Sequence, residues 1–230
     1  MHLIYVFDAY CGWSYGFTDT LGAIARRHPE LEVTVVSGGL FTGNGVRPIR
    51  EFGSVRDINA RISDSTGVEF GSAYEDLVTE GSFAMDSADA ARGVAALRAL
   101  SAPSGMPSMI RTLHEAFFIH GLSLSDPQTI GGGGGGVAAR KGLDPDEARR
   151  GYLSPASETA AREDLAMAAQ LGVSGFPTLL VADGQRSVVL GAGAASSDDI
   201  ERRLEHARAA LTAASSSHAA DDGVPASGRY

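Results

Sequence analysis

The sequence predicts an α/β fold in which a small sheet is interrupted by a long helical block. Three observations carry this. A strand–helix–strand opening occupies the first 36 residues, helical periodicity dominates from about 48 to 171, and two short β-rich runs precede a final helix. Leu3 to Phe7 is an apolar run of strand length that stops at Asp8. After the Asp8-Ala9-Tyr10-Cys11-Gly12-Trp13 turn, Phe17, Leu21 and Ile24 recur on one helical face, and Pro29 closes that helix. Leu31 to Val36 is the second strand, which a crossover helix sets parallel to the first.

The helical block divides into 55–65, 72–80, 86–100, 106–120, 145–150 and 156–171. Asp144-Pro145-Asp146-Glu147 supplies an N-cap, a proline at the first helical position and a glutamate at the third, and Gly172 marks a C-terminal stop. Thr178 to Val181 and Ser187 to Leu190 form a hairpin around Asp183-Gly184. The last helix starts near Ser197 with a stripe of Ile200, Leu204, Ala207 and Leu211, leaving a small, polar, disordered tail over 212–230. Gly131 to Gly136 reads as a flexible linker. A phosphate-cradling role needs a Lys-Ser/Thr pair after it, which is absent.

The chain has 230 residues, 43% hydrophobic and 20% charged, which fits a globular domain with an insertion. Its net charge of −9 includes a single lysine, Lys141, among 19 basic residues, and argues against nucleic acid or an anionic membrane as partner. No stretch has the ~18 apolar residues of a membrane span, and the expected location is the cytoplasm. One cysteine, Cys11, excludes an intramolecular disulfide and a Cys-rich metal site, so no metal or cofactor is expected. The six histidines show no i,i+4 pair, and His114 and His120 read as helix-surface or satisfied core residues.

Chemistry concentrates at Cys11-Gly12-Trp13-Ser14, between strand and helix. A cysteine there meets unpaired N–H groups and the positive end of the helix dipole, which predicts a pKa below the free value of about 8.5. Ser14, three residues on, lies within reach to donate to a thiolate. Gly172-Val173-Ser174-Gly175-Phe176-Pro177-Thr178, a turn-rich run leading into a strand, is a candidate site for a cis proline. Trp13, Tyr15 and Phe176 are candidates for an apolar groove, while Phe17 heads the helix stripe and reads as core.

The stretch from Asp8 to Phe17, followed by Val36-Ser37-Gly38-Gly39-Leu40, resembles the opening of DsbA-type oxidoreductases, in particular the cytoplasmic branch with the motif Cys-Gly-Trp-Cys-Tyr-Gly-Phe. Ala116 to Gly121 with Leu124-Ser125-Asp126 resembles that branch's helical insertion, and Gly172 to Thr178 its cis-proline loop. The resemblance implies a thioredoxin-like fold with a helical insertion domain: 1–40 and 172–211 thioredoxin-like, 41–171 inserted. It also implies Cys11 as nucleophile, Ser14 as hydrogen-bond donor, and Gly12, Trp13, Phe176 and Pro177 as substrate contacts. The family's second motif cysteine falls at Ser14. A mixed disulfide on Cys11 therefore has no internal thiol to resolve it, and release needs an external thiol such as glutathione acting as co-substrate. The expected activity is monothiol thiol–disulfide exchange on a protein or small-molecule disulfide or thiol. The alternatives are a glutathione-dependent transferase or isomerase of the kappa or hydroxychromene-carboxylate isomerase type, whose members typically carry serine at the position of Cys11, or a non-catalytic binding module.

Overall fold

A computed structural model describes residues 1–133, 135–184 and 186–221, with side chains described through residue 211. Four strands form one mixed sheet in the order β2-β1-β3-β4: β1 (His2–Phe7), β2 (Val33–Ser37), β3 (Thr178–Asp183) and β4 (Arg186–Ala192). β1 and β2 are parallel, with Leu3 opposite Val33, as the crossover connection requires. β3 runs antiparallel to β1, with His2 opposite Ala182, and pairs with β4 through a hairpin that turns at Gly184. β1 is buried on both faces, which is why its sequence is a continuous apolar run. Leu3, Tyr5 and Phe7 face one core with Phe17, Leu21 and Ile24. Ile4 and Val6 face a second, with Val36, Leu180 and Ala168.

The helix expected between the Asp8–Trp13 turn and Pro29 is two segments, α1 (Gly12–Gly16) and α2 (Thr18–Arg27), joined at Phe17. The Thr18 hydroxyl donates to the Tyr15 carbonyl (2.6 Å), a local side-chain bond that competes with the helical ladder at this joint. Gly16 packs against Thr66 and Ile62 so closely that a Cβ there would lie 2.8 Å from the threonine oxygen. Between β2 and β3 run α3 (Val55–Thr66), α4 (Ser72–Glu80), α5 (Ser87–Leu100), α6 (Met106–Phe118), α7 (Pro127–Gly131), α8 (Val137–Arg140), α9 (Pro145–Tyr152) and α10 (Pro155–Gln170). Asp144 caps α9 by accepting the Glu147 N–H (2.9 Å), and Gly172 follows α10 with φ of 69°.

Two expectations need correction. The glycine run is not a uniform linker. Gly131 is the last residue of α7, buried where a Cβ would come within 2.2 Å of the Pro145 carbonyl oxygen, so its lack of a side chain lets α7 meet α9. Gly136 caps α8 and donates to the Gly132 carbonyl (3.1 Å), and Gly134 lies outside the described residues. The final helix, α11 (Ser197–Asp221), buries the expected stripe but continues ten residues past Leu211. Of the expected disordered tail, 212–221 is therefore helical, and 222–230 lies outside the described residues.

α10 lies against β2, where an ion pair completes the sheet edge. Asp164 accepts the Ser37 N–H (3.0 Å) and the Arg98 guanidinium (2.9 Å), and the same guanidinium donates to the Val35 carbonyl (2.8 Å). One edge donor and one edge acceptor of β2 thus find partners on α10 and α5. Among the described residues no helix is long and apolar enough to cross a membrane.

Candidate active site

Cys11 caps the N-terminus of α1 in extended conformation, 6% exposed. Its Sγ–H donates to the carbonyl of Phe176 (3.5 Å), so residues 165 apart in sequence meet at the sulfur. The Phe176–Pro177 peptide bond is cis. The Phe176 ring covers Gly38, where a Cβ would lie 2.2 Å from the ring, so the Ser37-Gly38-Gly39 segment is shaped to seat it. Phe176 also borders a cleft of about 460 Å³ with Gly39, Leu40, Leu165, Ala168 and Val173. Cys11, Phe176 and Pro177 therefore share one corner. Trp13 is half-buried against the main core, Gly12 abuts Ile62, and Tyr15 is buried with its ring stacked on Phe118 (4.9 Å between centroids).

Ser14 is fully buried behind the cysteine. Its hydroxyl accepts the Asp8 N–H (3.3 Å), its carbonyl accepts the Tyr5 hydroxyl (3.3 Å), and its N–H and hydroxyl both favour the Cys11 thiolate. They do not win. Burial pushes the Cys11 thiol up, and the Asp8 charge adds to the rise against Ser14 and the Trp13 N–H. The expected depressed pKa is thus corrected. α1 is only five residues long and breaks at Phe17, so few aligned dipoles oppose the desolvation of a thiolate, and the Phe176 carbonyl accepts from the protonated form. The rate of Cys11 alkylation by iodoacetamide against pH is expected to show a midpoint above the free value of about 8.5. A midpoint below it would mean that the sulfur meets solvent far more than its environment allows.

Two residues at this corner escaped the sequence reading of function. Asp8, at the end of β1, is fully buried and accepts N–H donors from Tyr10 (3.0 Å) and Leu40 (2.9 Å). Burial raises its carboxyl to about 6, against the Ser87 hydroxyl and those two amides. A carboxylate directly after five apolar strand residues was the signal for it. His114 on α6 is fully buried and poorly satisfied: neither ring nitrogen makes a well-formed hydrogen bond among the described residues, although the Asp8 backbone lies beside the ring. Phe7 and Phe118 flank its ring, and burial lowers its pKa to about 3, opposed only by the Asp8 backbone. The turn itself is anchored in the insertion. The Ser125 N–H donates to the Tyr10 hydroxyl (2.9 Å), whose ring lies 4.8 Å from Phe117. Among the described residues no group of three His, Cys, Asp or Glu could hold a metal ion.

Chemically the corner presents one thiol, a backbone carbonyl and amides, with no second thiol. Solved structures with the same arrangement of elements include the cytosolic disulfide reductase DsbM from Pseudomonas aeruginosa, 25% identical, with a TM-score of 0.74 over 90% of this chain and 98% of that one. The same reductase with glutathione aligns at 26% identity and a TM-score of 0.72, over 90% of this chain and 98% of that one. A 2-hydroxychromene-2-carboxylate isomerase shares the fold at 17% identity and a TM-score of 0.59, over 94% of this chain and 98% of that one. No curated protein sequence matches the chain. A sequence model of the DSBA-like thioredoxin domain matches residues 2–205, nearly the whole globular part. The chain belongs to the DSBA-like thioredoxin domain family, and its four-stranded mixed sheet with inserted helices is the thioredoxin-like fold of that family.

Proposed function

We propose that this chain is a monothiol exchange protein of its family, working through Cys11 with glutathione as the resolving thiol. The observation that carries the reading is the meeting of the only cysteine with the Phe176 carbonyl, 165 residues away, at the start of α1. The Cys11 thiol loses its proton to solvent, and the thiolate attacks one sulfur of a disulfide. A Cys11–S–S–R bond forms as the substrate S–S bond breaks, and the second half leaves as a thiolate. With Ser14 in place of a second thiol, the adduct waits for an external thiolate, which restores Cys11 and carries R away as a new disulfide. Phe176 and Pro177 hold the attacked disulfide beside the sulfur, and Gly12 and Trp13 border it. The DsbM structure with glutathione supports the choice of co-substrate, at 26% identity. A cytoplasmic location fits this reading, since a reducing compartment supplies the external thiol. The isomerase alternative rests on fold likeness at 17% identity, and Cys11 itself favours exchange.

Incubation with glutathione disulfide or a disulfide-bonded peptide is expected to give a one-to-one adduct on Cys11, visible by mass and stable until glutathione is added. Ser14→Cys is expected to release the reduced peptide without added thiol. Spontaneous release from the unaltered protein, or no adduct at all, would overturn the reading.

A further inference from the structure

We propose that Asp8 is a positioning residue for Cys11, its carboxylate clamping the thiol-bearing turn to the Leu40 loop and to the start of α5. This deepens the exchange reading above and rests on it for its functional meaning. The geometry is a closed set of bonds. The carboxylate accepts the Tyr10 N–H (3.0 Å) just before the cysteine and the Leu40 N–H (2.9 Å) beyond β2. A third donor is the Ser87 hydroxyl on α5, whose oxygen in turn accepts the Phe41 N–H (3.0 Å). The Asp8 backbone joins the same corner from the other side: its carbonyl accepts the Cys11 N–H (3.1 Å), and its N–H donates to Ser14 Oγ (3.3 Å).

A fully buried carboxylate whose donors are two amides and a hydroxyl is a costly way to fasten a turn, because none of them neutralises the charge. A neutral asparagine-like acceptor would fasten it more cheaply. What the charge adds is its effect on the sulfur: ionised Asp8 holds Cys11 in the thiol form, and protonated Asp8 releases that hold. The other titratable groups meeting this corner are Tyr5 from β1, Tyr10 from the turn and His114 from α6. The tyrosines are shifted upward and the histidine downward by burial, so all three stay uncharged near neutrality, leaving the Asp8 charge to act on the sulfur. Attack on a disulfide therefore starts from a thiol held in place by Asp8 and the Phe176 carbonyl, which must first lose its proton to solvent to give the attacking thiolate.

The test is the pH profile of Cys11 alkylation by iodoacetamide, measured on the full chain and on two variants. The unaltered protein is expected to show its main midpoint with a break near pH 6, where Asp8 titrates. Asp8→Asn should remove the break and lower the main midpoint. Ser87→Ala keeps the charge but removes one donor, so the break should move to higher pH while the main midpoint stays, a readout available even if Asp8→Asn fails to fold. A midpoint and break unchanged in both variants would overturn the proposal. Adduct formation with glutathione disulfide is scored separately on the unaltered protein. Loss of that adduct with the Asp8 shifts intact removes the exchange reading and leaves Asp8's hold on the sulfur standing.

Discussion

His114→Leu is expected to raise stability at pH 7 by about 1–3 kcal/mol and to change how stability varies with acid. The first effect follows from two buried ring nitrogens without a well-formed partner among the described residues, since leaving such groups poorly bonded costs about this much and leucine of similar volume has none. The second follows from linkage. The ring titrates at about 3 in the folded chain instead of 6.5, so the unfolded chain takes up its proton first. Stability tied to neutral His114 is complete above 6.5 and is lost as pH falls towards 3, by about 1.36 kcal/mol per unit and ~5 kcal/mol in all.

Asp8 works in the opposite direction. Its folded value of about 6 lies above the ordinary 3.8, so its contribution is complete below 3.8 and is lost as pH rises through 6. Between 3.8 and 6 the two slopes nearly cancel. Removing the histidine uncovers the carboxylate, so the variant should gain on the parent steadily as pH falls. Urea unfolding of both proteins at pH 7, 5.5 and 4.5 measures the difference directly. A gap that stays constant across those values would mean that His114 does not remain neutral in the folded chain.

Asp164→Ala is expected to cost about 2–4 kcal/mol, somewhat below the usual ~3–5 for breaking a buried pair because Arg98 keeps partial access to water. The Arg98 side chain is 31% exposed and that of Asp164 only 7%. Removing the carboxylate strands the guanidinium and leaves the Ser37 N–H, at the edge of β2, without its acceptor. Arg98→Met in the same chain should recover at least half of the loss, because the worst term is the abandoned charge rather than the missing attraction. Denaturant unfolding of the two single variants and the double settles it. A single-variant cost under ~0.5 kcal/mol would show that water replaces Asp164 at the sheet edge. Since Ser37 leads into the Gly38 platform under Phe176, the same variant should also loosen the corner around Cys11.

The fold was legible because its signals are local. The apolar run of β1, the Asp144-Pro145 helix start and the Gly172 stop each specify their element within a few residues. α7 carried an equally local signal, Asp126-Pro127, that the neighbouring glycines obscured. The Cys11–Phe176 meeting was legible only through the resemblance of two separated motifs. What surrounds the sulfur was not legible, because Ser87, His114 and Asp164 from distant helices, and Ser125 from the turn before α7, reach the corner or its supporting edge and leave no mark near residue 11. The acidity of Cys11 went wrong for this reason. Reasoning from a helix terminus counts the local dipole, while the desolvation that outweighs it comes from elements far along the chain.

The pairing of β1 with β3 has a consequence during synthesis. His2 finds its partner in Ala182, so the first strand waits until residue 182 is made before its antiparallel neighbour exists. At ~5–20 residues per second, roughly 10–30 s pass between the emergence of Cys11 and that of the segment bearing Phe176. In that interval the cysteine is an ordinary solvated thiol with a pKa of about 8.5, more acidic than in the finished protein, and open to any disulfide in its surroundings. Closing the sheet over so long a loop then converts it into the guarded group of the folded state. A nascent chain capped by glutathione would have to fit that adduct between α1 and the Phe176 carbonyl, so the order of events on the ribosome decides whether a molecule is born with its only thiol free.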